Sequence, residues 1–290
     1  MSAGSGRLAI VGTPIGNLED ISRRAVRTLS EAEVIFCEDT RRTRKLLSAL
    51  GVPAPRLVRL DAHNEAAMAA PVIAALRAGS RAALVTDAGM PAISDPGSRL
   101  VAAVAAAGYE PEVIPGPSAV SAALALSGLP GGQYRFAGFL PRKGRDRHAL
   151  LAELAASPIT VVIYEAANRV ARTVADLAAV CRADRPFVVA RELTKLHEEV
   201  WRGPLGEAGD WLESSGEQRG EWVLLLGPAP PVPAGPQDLE ARVAAALESR
   251  LAAGADRKQA VAEVASELGA AKRDVYRIAL ELKGGGPTGA

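Results

Sequence analysis

The chain has 290 residues, 48% of them hydrophobic and 23% charged, with a formal net charge of +1. That length suits two domains with room for a small third, and the apolar fraction fits a well-packed globular protein. Two cysteines far apart, scattered histidines and the lack of an apolar stretch long enough to span a bilayer exclude a disulfide scaffold, a Cys- or His-rich metal site and a membrane protein, while the even charge neither requires nor excludes nucleic acid.

Residues 1–6 are small and polar and are expected to be disordered. No apolar leader precedes Arg7, so a cytoplasmic protein is expected. Residues 8–11 read as the first strand, which runs into Gly12-Thr13-Pro14-Ile15-Gly16-Asn17. Neither the G-x-G-x-x-G spacing nor the Gly-Lys-Ser/Thr of a phosphate loop is present. Asp20 is placed to cap a helix reaching about Leu29. A second strand, residues 34–37, ends in Glu38-Asp39-Thr40-Arg41-Arg42. That charged cluster suits an active site or an Arg–carboxylate network equally well. Residues 57–60 form a third strand, followed by Asp61-Ala62-His63-Asn64-Glu65 and a helix to Ala78.

Residues 82–85 read as a buried parallel strand, and the loop 86–97 that follows is long for a strand-to-helix turn. It sits at the carboxyl end of a strand, where open α/β sheets bind ligands. Its two glycines and two prolines hold an irregular backbone, small side chains leave room against the main chain, and Asp87 adds a negative charge. The plainer reading is an irregular loop whose Asp95 caps the next helix. A helix to Ala107 and a strand at 113–114 lead to Pro115-Gly116-Pro117-Ser118-Ala119. Ser118 there is either a plain N-cap or part of a ligand site at a helix N-terminus. The repeated βα units predict a mostly parallel, helix-covered sheet.

Leu129-Pro130-Gly131-Gly132 reads as a hinge between domains. Arg142, Lys143, Arg145 and Arg147 form a basic loop that could meet phosphates or simply be solvated. Strands at 159–164, 187–190, 199–203 and 220–226 make the second half α/β as well, with charged residues at strand ends. A proline-rich linker, 227–237, precedes a helical module in which Asp256 caps the second helix and Gly269 ends it. Arg257, Lys258, Lys272, Arg273 and Arg277 lie near helix starts and could share one basic face. The tail from Gly284 is expected to be disordered.

Taken together, residues 12–17, 38–43, 63–65, 87–97, 115–119, 164–165 and 191–195 resemble the tetrapyrrole methylase superfamily of S-adenosylmethionine-dependent methyltransferases. Within it the chain is similar to the subgroup that methylates a ribose 2′-hydroxyl of a decoding-site cytidine in 16S rRNA of the small ribosomal subunit. The helical tail is similar to that subgroup's C-terminal appendage. The resemblance implies two α/β domains, 7–117 and 118–227, with the cofactor in the cleft between them, a helical module at 238–283, and a homodimer. It places S-adenosylmethionine against Ile15, Asp87, Gly89, Met90, Ser118, Ala119, Tyr164, Ala166 and Leu193. Methyl transfer to a ribose hydroxyl needs no metal but needs a proton acceptor. Glu38, Asp39, His63, Glu65, Glu192 and Lys195, all at strand ends, are the candidates, and Lys195 would need a depressed pKa. A tetrapyrrole C-methyltransferase would use the same pocket but neither the basic loop nor the tail. A non-catalytic RNA-binding or assembly protein on the same fold is the third reading.

Overall fold

The computed structural model describes residues 6–216, 218–230 and 236–282, the side chains of 236–238 apart. The disorder expected at residues 1–5 and beyond Gly284, and the linker residues 231–235, lie outside the described residues. Gly6 itself is buried, and its N–H donates to the Leu76 carbonyl at 3.0 Å. The chain falls into two compact units, Met1–Ala229 and Pro230–Ala290.

The first unit begins with alternating strands and helices: β1 (Arg7–Val11), α1 (Arg23–Glu31), β2 (Val34–Cys37), α2 (Thr40–Ala49), β3 (Arg56–Arg59), α3 (Glu65–Arg77), β4 (Arg81–Val85), α4 (Ser98–Ala106) and β5 (Glu112–Ile114). The strands form a five-stranded sheet in the order β3-β2-β4-β1-β5, parallel throughout, as the βα alternation predicts. Strand residues alternate between two covered faces. Ala9, Val11, Ile35 and Cys37 pack under α1 and α2, whereas Leu8, Phe36 and Leu84 pack under α3 and α4. The α1 start differs from expectation. Asn17 caps a 3-10 turn at Leu18–Asp20, and Ser22 then caps α1 by accepting the Ala25 N–H at 3.0 Å. Extended Ile21 separates the two, so Asp20 cannot cap α1.

Helix α5 (Ala119–Ser127) packs on a second sheet built from β6 (Tyr134–Phe139), α6 (Arg145–Ala155), β7 (Thr160–Ala166), α7 (Val170–Val180), β8 (Pro186–Arg191), β9 (Glu199–Pro204), α8 (Ala208–Ser214) and β10 (Glu221–Leu226). Its order is β6-β7-β10-β8-β9. Only β6 and β7 are parallel; the pairings of β10 with β7 and β8, and of β8 with β9, are antiparallel. In β10, Trp222, Leu224 and Leu226 face α6, α7 and α8, while Val223 and Leu225 face α5 and Ile15. The polypeptide therefore passes from one sheet to the other at Pro115–Ser118. Leu129–Gly132 joins α5 to β6 on the same sheet and is not the hinge that its composition suggested.

The second unit holds α9 (Pro236–Ala252), α10 (Arg257–Leu268) and α11 (Lys272–Glu281) around Val243, Leu247, Val261, Val264, Val275 and Ile278. Asp256 accepts the Lys258 N–H at the start of α10, and Gly269 ends that helix in the left-handed region, as the sequence predicts.

Candidate functional site

The loops leaving β1, β4 and β5 meet at the carboxyl edge of the first sheet. Thr13 and Gly89 exchange backbone hydrogen bonds of 2.9 and 3.1 Å. Gly12 lies against Gly116 so closely that a Cβ on it would sit 2.6 Å from the Gly116 Cα. Only glycine lets these backbones cross. Gly89 itself is at φ +80°.

Within the loop 86–97 the carboxylates divide their roles. Asp87 accepts the Asp39 N–H at 3.2 Å and pairs with Arg42 at 3.2 Å. Asp95 does not cap α4. Glu65, buried at the start of α3, does so instead, its Oε1 accepting the N–H groups of Gly97 (3.0 Å), Arg99 (2.8 Å) and Leu100 (3.1 Å). Asp95 is thereby left lining the cavity below.

On the facing side, Ser118 occupies the N-cap position of α5 but makes no capping bond. The Tyr164 phenol, on β7, also lines the cavity beside Ser118 and Ala119. Burial pushes the Tyr164 phenol up to about 12, so it stays protonated, and Phe136 and Phe139 pack edge-on against its ring. Glu165 is buried and fully engaged by the Thr173 hydroxyl at 2.6 Å, the Ala166 N–H at 2.9 Å and Arg169 at 3.2 Å.

Between these walls lies a cavity of about 450 Å³, within the range of small-molecule and cofactor sites. Ile15, Asp87, Gly89, Met90, Ser118, Ala119, Tyr164, Ala166 and Leu193 all line it. So do residues that the sequence did not single out as ligand contacts: Arg42, Asp95, Glu221, and the half-exposed Ile93 and Phe139. Glu38, Asp87, Asp95 and Glu221 give the cavity negative potential. Burial pushes Glu38 and Asp87 upward, and Asp95 to about 6, its shift reinforced by Glu38, Asp87 and Glu221.

Of the expected proton acceptors, only Glu38 lines the cavity. Asp39 caps α2 and pairs with Arg41, whose hydrogen bond holds it down at about 2. Lys195 is bound to Glu192 at 2.8 Å and Glu221 at 3.1 Å. Burial draws its ammonium down, but those hydrogen bonds outweigh it and raise the group above its usual range. It therefore holds its proton too tightly to be the base, and Glu192 is its partner rather than a free acceptor. His63 is exposed, its backbone N–H donating to Asp61, and Glu65 is a cap.

Among the expected phosphate contacts, Arg142, Lys143 and Arg145 are exposed. Arg147 is not. It is 2% exposed, pairs with Asp176 at 2.7 Å and donates to the Pro141 carbonyl and the Thr173 hydroxyl. One turn into α6, it points into the α6–α7 packing and is a structural residue. In the helical unit, Lys258, Lys272 and Arg273 are exposed, Arg257 is half-buried, and Arg277 is neutralised by Glu240 and Glu281. Among the described residues, no group of three or more His, Cys, Asp or Glu side chains could hold a metal ion, and no helix is long and apolar enough to cross a membrane.

A family model of the tetrapyrrole (corrin/porphyrin) methylases matches residues 7–209. The chain is 41% identical over 281 residues to a Synechocystis sp. protein named ribosomal RNA small subunit methyltransferase I, covering 97% of this chain and 100% of that one. Proteins of the same name from Mycobacterium tuberculosis and Xylella fastidiosa are also similar. The first is 42% identical over 288 residues and 98% of each chain. The second is 47% identical over 222 residues, 76% of this chain and 81% of that one. Among solved structures, a cobalt precorrin-4 methyltransferase superposes with a TM-score of 0.57 at 19% identity, over 77% of this chain and 94% of that one. A Thermus thermophilus uroporphyrin-III C-methyltransferase complexed with S-adenyl homocysteine gives 0.54 at 22% identity, over 77% and 97%. At these identities the two structures share the fold.

Proposed function

The chain belongs to the tetrapyrrole methylases, and on that premise we propose that it methylates small-subunit ribosomal RNA, carrying a methyl group from S-adenosylmethionine to the ribose 2′-hydroxyl of a decoding-site cytidine in 16S rRNA. What carries this reading is the coincidence of every cofactor position implied by the family motifs with one cavity, in a chain whose full-length relatives bear a ribosomal RNA methyltransferase name.

The residues present fit the cofactor. Gly89, Met90 and Ala119 offer main chain and small or flexible side chains to a flat ligand, and the open start of α5 offers unused polar groups. The carboxylates Asp87 and Glu38 suit a ligand bearing cationic sulfonium and ammonium groups. When bound, S-adenosylmethionine supplies a methyl group on positively charged sulfur. The protein's part is to hold the acceptor oxygen in line with it and to take up a proton.

Arg142, Lys143 and Arg145 would meet phosphates beside the cavity, with Lys258, Lys272 and Arg273 of the helical module as a second contact area. We assign the domains as 7–117, 118–227 and 238–283, and the working form as a cytoplasmic homodimer. The test is incubation of the protein with labelled S-adenosylmethionine and, in parallel, small ribosomal subunits, bare 16S rRNA and a porphyrinogen. Label recovered as 2′-O-methylcytidine from RNA supports the reading. Label in the porphyrinogen alone overturns it in favour of tetrapyrrole methylation, and label in none of the three favours a non-catalytic RNA-binding protein.

A further inference from the structure

The reaction needs a proton acceptor, and of the residues first expected to fill that role all but Glu38 serve as caps, are paired or lie outside the cavity. We propose that the Asp95 carboxylate takes the proton from the substrate hydroxyl as that oxygen attacks the methyl carbon. This rests on the methyl-transfer reading above.

Geometry singles out Asp95. Glu65 relieves it of helix capping, so its carboxylate is free to line the cavity. The backbone around it is held in an uncommon form, with Ala92 at φ +68° and Ser94 at φ +62°. Such non-glycine conformations are strained and persist where the surroundings enforce them, often at functional sites. The other cavity carboxylates are committed. Asp87 holds Arg42 and the Asp39 N–H, Glu165 is locked by Arg169 and Thr173, and Glu221 holds Lys195. Glu38 and Asp95 remain; the Thr86 hydroxyl donates to Glu38 at 3.5 Å, and its nearness tempers the rise of Asp95.

Charge separates those two. Asp95 is faced by Glu38 from the end of β2, Asp87 from the end of β4 and Glu221 from β10, with Arg42 of α2 and the Tyr164 phenol of β7 also on the cavity wall. Burial and those like charges lift its proton affinity to about 6. A base titrating near 6 is ionised at neutral pH and still accepts a proton usefully. As O2′ bonds to the methyl carbon, the carbon–sulfur bond breaks and its electron pair stays on sulfur. The hydroxyl proton passes to the Asp95 carboxylate and from there to solvent once product leaves.

The test uses the full chain, its Asp95→Asn and Asp95→Glu variants, and unmethylated small ribosomal subunits. Three quantities are measured: single-turnover rate against pH, S-adenosylmethionine affinity by calorimetry, and melting temperature. The wild-type rate should rise with pH along an acidic limb and level off, the bound sulfonium placing that limb at or below about 6. Asp95→Asn should lower the plateau at least about 100-fold and abolish that limb. Its cofactor affinity should stay within about threefold and its melting temperature should be no lower than wild type. Asp95→Glu should recover part of the rate together with a limb. An Asn variant within threefold of wild type, or one that keeps the limb, overturns the proposal. So does a loss of rate matched by an equal loss of cofactor affinity, which would make Asp95 a cofactor ligand. A wild-type protein that labels no subunit overturns the proposed function and this inference together; the preceding results overturn the inference alone.

Discussion

At the residue scale, a single carboxylate replaces the missing cap of α4. Gly97 has no side chain to offer at that position, so the N–H groups of Gly97, Arg99 and Leu100 depend on Glu65 Oε1. Glu65→Ala should orphan them and lower stability by roughly 2–4 kcal/mol, while Glu65→Gln should lose less, since it keeps an acceptor; chemical denaturation measures both. The basic loop splits in the same way. Arg147→Ala removes a buried guanidinium that holds Asp176, the Pro141 carbonyl and the Thr173 hydroxyl, leaves Asp176 only the exposed Arg172 at 3.8 Å, and should cost about 3 kcal/mol. Replacing Arg142, Lys143 and Arg145 together should leave the melting temperature near wild type. It should weaken RNA binding and flatten the log–log salt slope by about 2, as fewer counterions are released. An unchanged salt slope would return that loop to solvent. Asp95 also carries a stability signature. Its carboxyl binds a proton more tightly folded, at about 6, than unfolded, at 3.8. Its contribution is therefore fully present below about pH 4 and lost as pH rises through about 6. Asp95→Asn, neutral throughout, should melt several degrees above wild type at pH 8, with the gap closing by pH 4. A gap that is constant with pH would contradict the burial of this charge.

At the element scale, the central loop is a folded object stitched to its neighbours. Gly89 bonds to Thr13 on both sides of its peptide, and Gly12 lies on Gly116. Space is not what Gly89 lacks, since a Cβ there would come no closer than 3.4 Å to its nearest neighbour, Ile15 Cγ2. What excludes other residues is φ +80°, which a β-branched side chain does not tolerate. Gly89→Val should therefore shift the backbone at the cavity wall and lower S-adenosylmethionine affinity at least about tenfold. Calorimetry on the folded variant would show whether it does. Helix α5 is the matching element on the other side. Its sequence, Ala119–Ser127, is apolar enough to bury against β10, and Ser118 at its N-terminus makes no side-chain capping bond.

At the scale of the whole molecule, the cavity draws on both sheets and lies wholly within the unit Met1–Ala229. The helical unit has its own core, built around Val243, Leu247, Val264 and Val275. Ending the chain after Ala229 should therefore leave cofactor affinity within about threefold of the full chain. Activity on small subunits should fall further, through the loss of Lys258, Lys272 and Arg273, with Arg277 contributing little because Glu240 and Glu281 already hold it. Full activity at normal RNA affinity would remove the helical unit from substrate recognition.

Local pattern was enough for the strands of the parallel sheet, the cap at Asp256 and the stop at Gly269, whereas the expected cofactor positions came from a family resemblance. Each of those local features depends on residues close in sequence: an apolar run, a side-chain oxygen two residues from the N–H it accepts, or a glycine where φ must be positive. What the sequence alone could not decide is which polar side chain serves which partner. Glu65 and Gly97, Arg147 and Asp176, and Lys195 and Glu221 are each far apart along the chain, and their pairing is a property of packing. The same holds for the mainly antiparallel second sheet, where β10, last of its strands in the chain, inserts between β7 and β8. Asp95 shows the consequence most directly: its sequence neighbours suggest a helix cap, and only the arrival of Glu65 from α3 turns it into a free carboxylate at the cavity.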